Sequence, residues 1–339
     1  MTTAITIGIF GQSFALALTQ EPALSVFKSE IKTAGGYSSV DIVSHVSDGS
    51  AALFENAPSA YPNRYWWNPA GANETAKIGP ELATAKSVII ASSNKPEIIL
   101  WLQGEGDSSG SLPDAAEIAR FKDATTQVIW RLKLASNPGD PSSIPTLTHR
   151  IGRRINSNGA PGVQAIREAQ IAVDASSPTL HFLCDNWDLA LMGDDPLGRW
   201  PNNSHMTPVG NAILGWRAAH RVLQQIGKPH LAGPVLSSVA RVAVNTFDLT
   251  FSVSSPLALD LPSSVPHMAI RDGASLYEQD DLTFTWLGAT TLRVVAPASV
   301  PGGALLLYPE GSLHDIDRSG LIKDSAGTIV RSFAHSLPA

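Results

Sequence analysis

EIILWLQGEGD, residues 97–107, changes character halfway along. EIILWLQ (97–103) is a near-continuous apolar run of strand length, the pattern of a strand buried on both faces. Gln103 and Glu105 then arrive, each followed by glycine. Polar groups at the edge of a core cost free energy unless they are satisfied, and glycines there let a backbone or a ligand come close. The segment is therefore either an ordinary turn or one wall of a site.

Working outward, four more runs of the same kind flank it: AITIGIF (4–10), VDIVSHV (40–46), IPTLTH (144–149) and LHFLCD (180–185). Helical patterns lie between them near 21–33, 80–93, 114–135, 162–175 and 208–226. In the third, Ile118, Phe121, Thr125, Val128, Ile129 and Leu132 recur at three- and four-residue steps, an amphipathic stripe. The last opens with Thr207 and Pro208, an N-cap followed by proline at the first helical position. Alternating strands and helices predict an α/β fold whose parallel sheet is covered on both faces. In such sheets ligands bind beyond the carboxyl ends of the strands.

GKPHLAGPVL (227–236) breaks this pattern. After it come short strand-like runs, among them VARVAVN (239–245), FDLTFSV (247–253), LTFTWLG (282–288), TLRVVAP (291–297) and ALLLYPE (304–310), with no helical pattern intervening. With 339 residues, two domains are expected: an α/β domain over 1–230 and a small C-terminal β-sandwich over 231–339.

Bulk properties remove several classes of function. The net charge is −6 and no Lys/Arg-rich run exists, so the basic stripe that nucleic-acid phosphates require is missing. No apolar stretch reaches the ~18 residues of a membrane span, and MTTAITIGIF lacks the marks of a signal peptide. The expectation is thus no nucleic acid, no membrane, and a compartment the sequence leaves open. A single cysteine, Cys184, rules out an internal disulfide and a Cys-rich metal site, and the scattered histidines lack metal-ligand spacing. No metal and no cofactor are expected.

Four exits from the predicted sheet carry chemistry. IFGQSFALAL (9–18) puts Ser13 after the first strand, SHVSDGSAALF (44–54) puts Gly49 after the second, and Gln103 leaves the third. WPNNSHMTPVG (200–210) sets His205 just before the last helix. A serine hydroxyl needs a neighbouring base to become a nucleophile, and histidine suits neutral pH. The N–H groups of Ser13 and Gly49 and the Gln103 amide can stabilise a developing oxyanion. GDSSG (106–110) also satisfies the G-x-S-x-G nucleophile pattern. That elbow demands a strand directly in and a helix directly out; QGE and GSLPD intervene here, so it reads as a loop and Ser108 as a bystander.

GQS (11–13), DGS (48–50), WLQGEGD (101–107) and NNSH (202–205), supported by GPEL (79–82) and MTPVGNAILGWRAA (206–219), resemble the SGNH (GDSL-like) hydrolases, in particular their carbohydrate esterase and sialate O-acetylesterase branch. The resemblance spans about residues 4–226, and W-x-Q-G-E-x-D is its most specific block. It implies a three-layer, flavodoxin-like α/β/α hydrolase domain that removes acetyl groups from a carbohydrate without a metal. It makes Ser13 the nucleophile, His205 the base, and Gly49 with Gln103 the oxyanion hole; the β-rich tail is similar to an accessory domain of that branch. One departure stands out: the family has Asp three residues before the histidine, where this chain has Asn202. An amide orients an imidazole but does not stabilise an imidazolium. Asn202 is expected to orient His205, with Glu105, Asp194 and Asp195 as the carboxylates at hand, Glu105 buttressing either the loop or the histidine.

In YPNRYWWNPAG (61–71), Tyr65, Trp66 and Trp67 either stack on a sugar or plug the gap between helix and sheet. The function expected is thus a serine esterase acting on an acetylated carbohydrate. The alternatives are a weak or inactive carbohydrate-binding module on the same fold, or a lipase or thioesterase.

Overall fold

The five apolar runs pair side by side in one parallel sheet, because each offers hydrophobic side chains to both faces. In chain order the elements of residues 1–230 are β1 (Ile5–Gly11), α1 (Ser13–Leu18), α2 (Ala23–Gly35), β2 (Val40–Val46), β3 (Ala51–Leu53), β4 (Tyr65–Trp67), α3 (Glu74–Lys77), α4 (Pro80–Ala91), β5 (Ile98–Leu102), α5 (Ala115–Ser136), β6 (Thr146–Arg150), α6 (Ala160–Asp174), β7 (Leu180–Asp185) and α7 (Pro208–Gln225). The computed structural model describes residues 4–57, 62–109, 115–151, 160–185, 189, 205–231, 233–253, 258–262, 265–273, 275–309, 321–325, 329–331 and 333–339.

The sheet order is β2-β1-β5-β6-β7, every pair parallel. Successive side chains of a strand point to opposite faces, and the core divides accordingly. Ile5, Ile7 and Ile9 of β1 pack with Phe27 and Ile31 of α2 and with Leu214, Ala218 and Val222 of α7. Phe10, next after Ile9, joins Ile99 and Trp101 of β5 on the other face. There it meets Leu82 and Ile89 of α4, Phe121 and Val128 of α5, and Val163 and Ile166 of α6. The result is three layers, helices on sheet on helices. At about 1.5–3 kcal/mol for each buried aliphatic side chain, these two clusters are the main stabilising term.

The local signals read in the sequence hold. Thr207 caps α7, its Oγ1 accepting the Gly210 N–H at 3.2 Å, with Pro208 at the first position. α2 ends on Gly36 in the left-handed conformation, φ 72°. β3 and β4, which pair with each other in parallel through Ala51↔Tyr65 and Leu53↔Trp67, carry no signal in the sequence. Three residues give too short a pattern to show a period.

Residues 231–339 form a separate compact unit. Its strands are β8 (Val235–Ala243), β9 (Thr246–Ser252), β10 (Leu259–Asp260), β11 (Ala269–Asp272), β12 (Ser275–Tyr277), β13 (Thr283–Trp286), β14 (Thr291–Val295), β15 (Leu305–Tyr308), β16 (Lys323–Asp324) and β17 (Phe333–Ser336). They make two four-stranded antiparallel sheets, β13-β14-β9-β8 and β12-β11-β15-β17, and a two-stranded pair, β10-β16. Alternate residues are buried along β9 (Phe247, Leu249, Phe251) and β14 (Leu292, Val294), so that sheet has one apolar face. Arg293 on β14 sits opposite Asp248 on β9 and grips it through Nε at 2.7 Å and Nη2 at 2.8 Å.

β1 ends on Gly11 at φ 134°, where an added Cβ would stand 2.0 Å from the Leu102 carbonyl oxygen of β5. Gly11→Ala is therefore expected to destabilise the protein by about 2 kcal/mol or more, from backbone strain and the clash together. Thermal or denaturant unfolding of the purified variant measures it, and an unchanged midpoint would refute the close approach.

Candidate functional site

Strand register brings three of the expected site segments to one edge. Gly11 pairs with Val46 of β2 on one side and with Leu102 of β5 on the other, so the three strands end level. Ser13, Gly49 and Gln103 follow within three residues of those ends. β1 and β5 flank the point where the strand order reverses, which is where ligands bind in open α/β sheets.

The first turn of α1 is built for exposure of backbone donors. Gln12 occupies the N-cap position without a side-chain cap, and Ser13 is the first helical residue. Ser13 is 7% exposed, and among the described residues neither its N–H nor its hydroxyl has a hydrogen-bond partner. Gly49 sits at φ 71° in a turn that Ser47 and Ser50 close with an N–H···O bond of 3.1 Å. Its own N–H likewise has no acceptor among the described residues. The Ser47 N–H reaches the Gly11 carbonyl at 2.9 Å and ties that turn to the end of β1.

Gln103 departs from expectation. Its side chain is 1% exposed and its amide hydrogens go to Gln12 Oε1 and the Ser50 carbonyl, both at 2.9 Å, with Asp107 Oδ2 further off at 3.4 Å. Ser50 Oγ donates to Gln103 Oε1 at 3.3 Å and accepts the Trp66 indole N–H at 3.1 Å. Gln12 Oε1 also takes the Gly106 N–H at 2.9 Å. From α6, Gln170 donates to the Gln103 main-chain carbonyl at 2.7 Å and accepts the Ile151 N–H at 2.8 Å. The Gln103 amide thus stitches the exits together instead of pointing at open space. Gln12, Ser50 and Gln170 went unremarked in the sequence because nothing local marks a polar residue as a network member.

Asp107, the last residue of the WLQGEGD block, is buried and accepts the N–H groups of Ala52 at 2.9 Å and Leu53 at 3.2 Å. It holds β3 against the loop. Burial pushes its carboxyl up to about 6, against the hydrogen bonds from Ala52, Leu53, Gln103 and Asn56, which pull it down.

His205 stands on the approach to α7, half-buried, with Nε2 3.9 Å from Asp48 Oδ1 in the Gly49 turn. That contact puts the histidine beside the exit of β2. No hydrogen bond joins it to Ser13 Oγ. Asn202, Asp194 and Asp195 lie outside the described residues. Glu105 Oε1 meets Nε2 of buried His149 on β6 at 3.1 Å. His149 in turn packs its ring on Phe14, centroids 5.8 Å apart. The Glu105–His149 contact fits the bracing of the loop, one of the two roles expected of Glu105.

The aromatic residues are corrected too. Trp66 and Trp67 are 0% and 3% exposed, and Trp66 sets its ring edge-on to Trp101 at 4.8 Å. Arg131 covers the Trp67 ring at 4.3 Å. Neither ring presents a face to a sugar; they plug the gap between helix and sheet. Tyr65, partly buried, is edge-on to Phe54 at 4.8 Å. Ser108 is buried in the short 3-10 turn Asp107–Ser109, its hydroxyl donated to the Glu105 carbonyl at 2.8 Å. β5 ends at Leu102, so no strand runs straight into Gly106 as an elbow requires. Among the described residues no group of three His, Cys, Asp or Glu side chains could hold a metal ion, and no helix is long and apolar enough to cross a membrane.

No described protein family matches the sequence, and no curated protein does. Similar solved structures include a protein from Arabidopsis thaliana, 19% identical over 60% of this chain and 66% of that one, TM-score 0.40. An aryl esterase of M. smegmatis is 10% identical, with 65% of this chain and 99% of that one covered, TM-score 0.44. A carbohydrate acetylesterase from Sinorhizobium meliloti is 8% identical, with 66% and 98% covered, TM-score 0.42.

Asp107 makes stability depend on pH. Its folded value, about 6, lies above the ~3.9 of an unfolded Asp, so between them the folded chain binds more protons and loses stability as pH rises. Across pH 4 to 7 the unfolding free energy of the wild type, taken relative to Asp107→Asn, is expected to fall by about 2 kcal/mol. Denaturant titrations of both proteins measure it, and a pH-independent difference would refute the burial effect.

Proposed function

We propose that the chain is a serine esterase that removes short acyl groups, acetyl above all, from a carbohydrate. The observation that carries this reading is a pair of backbone N–H groups without acceptors, those of Ser13 and Gly49, beside a serine hydroxyl equally uncommitted, at the point where the strand order reverses. Two such donors at one spot suit an oxygen that acquires charge only during reaction.

Ser13 Oγ attacks the ester carbonyl carbon while its proton passes to the His205 imidazole. The carbonyl electron pair moves onto oxygen, where the Ser13 and Gly49 N–H groups receive it. Collapse expels the sugar hydroxyl, which takes the proton from the imidazolium and leaves an acylated Ser13. Water repeats the sequence, with His205 as base and then acid, and releases the carboxylate. Gln103 serves by holding the Gln12 and Ser50 turns in register; to bind the oxyanion itself, its amide would have to give up one of them. Asn202 keeps the orienting role that the sequence suggests. In this reading residues 1–230 are the hydrolase domain, and the two four-stranded sheets of 231–339 are the leaves of an accessory β-sandwich.

A second reading, a sugar-binding module without turnover, draws on the absence of a hydrogen bond between Ser13 Oγ and His205. Enzymes often close that contact only around substrate, so the first reading stands ahead of it.

Ser13→Ala is expected to lower p-nitrophenyl acetate hydrolysis by about three orders of magnitude or more. Ser108→Ala, which loses one buried hydrogen bond worth about 1 kcal/mol, is expected to keep most of the activity. Steady-state rates decide: loss in Ser108→Ala alone transfers the nucleophile, and a wild type that binds acetylated sugar without hydrolysing it favours the second reading.

A further inference from the structure

Ser13 stands on a helix too short to hold its own shape. α1 has 6 residues and no side-chain cap from Gln12, and a helix of that length is marginal by itself. Its first turn is fixed by what its neighbours touch, and both neighbours of Ser13 lead to QGE (103–105), the stretch that follows β5. On one side, Gln12 Oε1 accepts from Gln103 Nε2 and from the Gly106 N–H, both at 2.9 Å. On the other, buried Phe14 tilts its ring against the imidazole of His149, centroids 5.8 Å apart, and His149 Nε2 meets Glu105 Oε1 at 3.1 Å. We propose that Glu105 and His149 are positioning residues for Ser13: the carboxylate fixes the imidazole, the imidazole seats Phe14, and Phe14 sets the turn that carries the hydroxyl. This rests on the esterase reading above.

The place of His149 in the sheet suits it to that task. Thr148, just before it, pairs with Trp101 of β5, and Leu102, just after Trp101, pairs with Gly11, so His149 stands level with the end of β1. It shares a strand face with Leu147, which packs in the same apolar cluster as Ile9 and Phe14. The backbone on either side of it is anchored from the opposite face. Thr148 Oγ1 and Arg150 Nη2 both donate to the Asp174 carboxylate of α6, the second at 3.1 Å.

The bond between His149 and Glu105 is one that a neutral imidazole makes. A carboxylate offers only acceptors, so the proton lies on Nε2. Nδ1 is buried with no hydrogen-bond partner among the described residues, and a second proton there would be stranded in the core. What Glu105 supplies is therefore an acceptor at a fixed point. A ring pinned at Nε2 gives Phe14 one constant surface to rest on, where an unpinned ring would turn. Displacement of a reacting atom by about 1 Å is enough to lower a rate about a hundredfold, so a brace that never meets the substrate is felt at the hydroxyl.

The test is the rate at which a fluorophosphonate labels Ser13 in the full-length protein, read beside steady-state hydrolysis of p-nitrophenyl acetate. Phe14→Leu keeps an apolar side chain in the core, and Glu105→Leu removes the acceptor. Each is expected to label roughly tenfold more slowly than wild type, with the loss in kcat and KM within about twofold. Glu105→Gln, whose Oε1 still accepts from Nε2, is expected to recover most of the rate. Joined in one protein, Phe14→Leu and Glu105→Leu are expected to slow labelling no more than either alone, since both break the same series of contacts. Unchanged labelling in Phe14→Leu, or losses that multiply in the double variant, overturn the inference and leave the esterase reading standing. A Glu105→Gln protein as slow as Glu105→Leu overturns it too, because charge and not the bond would then matter. Where Glu105→Leu fails to fold, Phe14→Leu at the wild-type rate or Glu105→Gln at about a tenth of it is sufficient to overturn it. A wild type whose label falls elsewhere than Ser13 removes the esterase reading itself, and this inference with it.

Discussion

Gln103 carries a primary amide into a space closed to solvent, and its polar atoms tie three distant parts of the chain together. Its amide hydrogens reach the side chain of Gln12, at the exit of β1, and the carbonyl of Ser50, beyond β2; its oxygen receives the Ser50 hydroxyl; its main-chain carbonyl receives Gln170 from α6. A buried amide left without such partners costs about 1–3 kcal/mol for each group orphaned, while each bond made contributes only about 1. The network is thus better understood as a condition on folding than as a source of stability. The amide of Gln103 is satisfied only when the exits of β1, β2 and β5 lie at their mutual distances, the exits that also carry Ser13 and Gly49. Order at the candidate site is inherited from the polar layer beneath it.

The sheet and its helices could be read from the sequence because their signals are local and long. EIILWLQ is apolar at every position that becomes a two-sided strand, and Ile118, Phe121, Val128 and Leu132 trace a stripe that buries against the sheet. Thr207–Pro208 announced the start of α7 for a reason confined to one turn of helix. What stayed hidden depends on partners far off in the chain. β3 and β4 are three residues each, and only their mutual pairing and Asp107 give them a place. His149 reads in IPTLTH like any strand residue; its partner is a carboxylate 44 positions earlier.

The site shows the same division. The exits carrying Ser13, Gly49 and Gln103 were placed on one edge by topology alone, and the register sets the ends of their strands level. The directions of the side chains were another matter. Composition says that Trp66 and Trp67 are large and amphipathic, not which way they face, and the structure turns both inward, where the Trp66 indole N–H finds Ser50. Gln103 was read as facing a reacting carbonyl on the strength of position; its amide faces Gln12 and Ser50.

The wiring of Gln103 also bears on how such a protein can change over generations. Its amide meets Gln12 and Ser50 together, so replacing any one of the three strands the other two, and a repaired alternative needs coordinated changes at more than one position. The effects of substitutions within this trio will not add. Divergence is channelled away from the polar layer: the three residues are expected to pass down a lineage as a block, tolerated intact or lost together, while neighbouring surfaces drift one residue at a time.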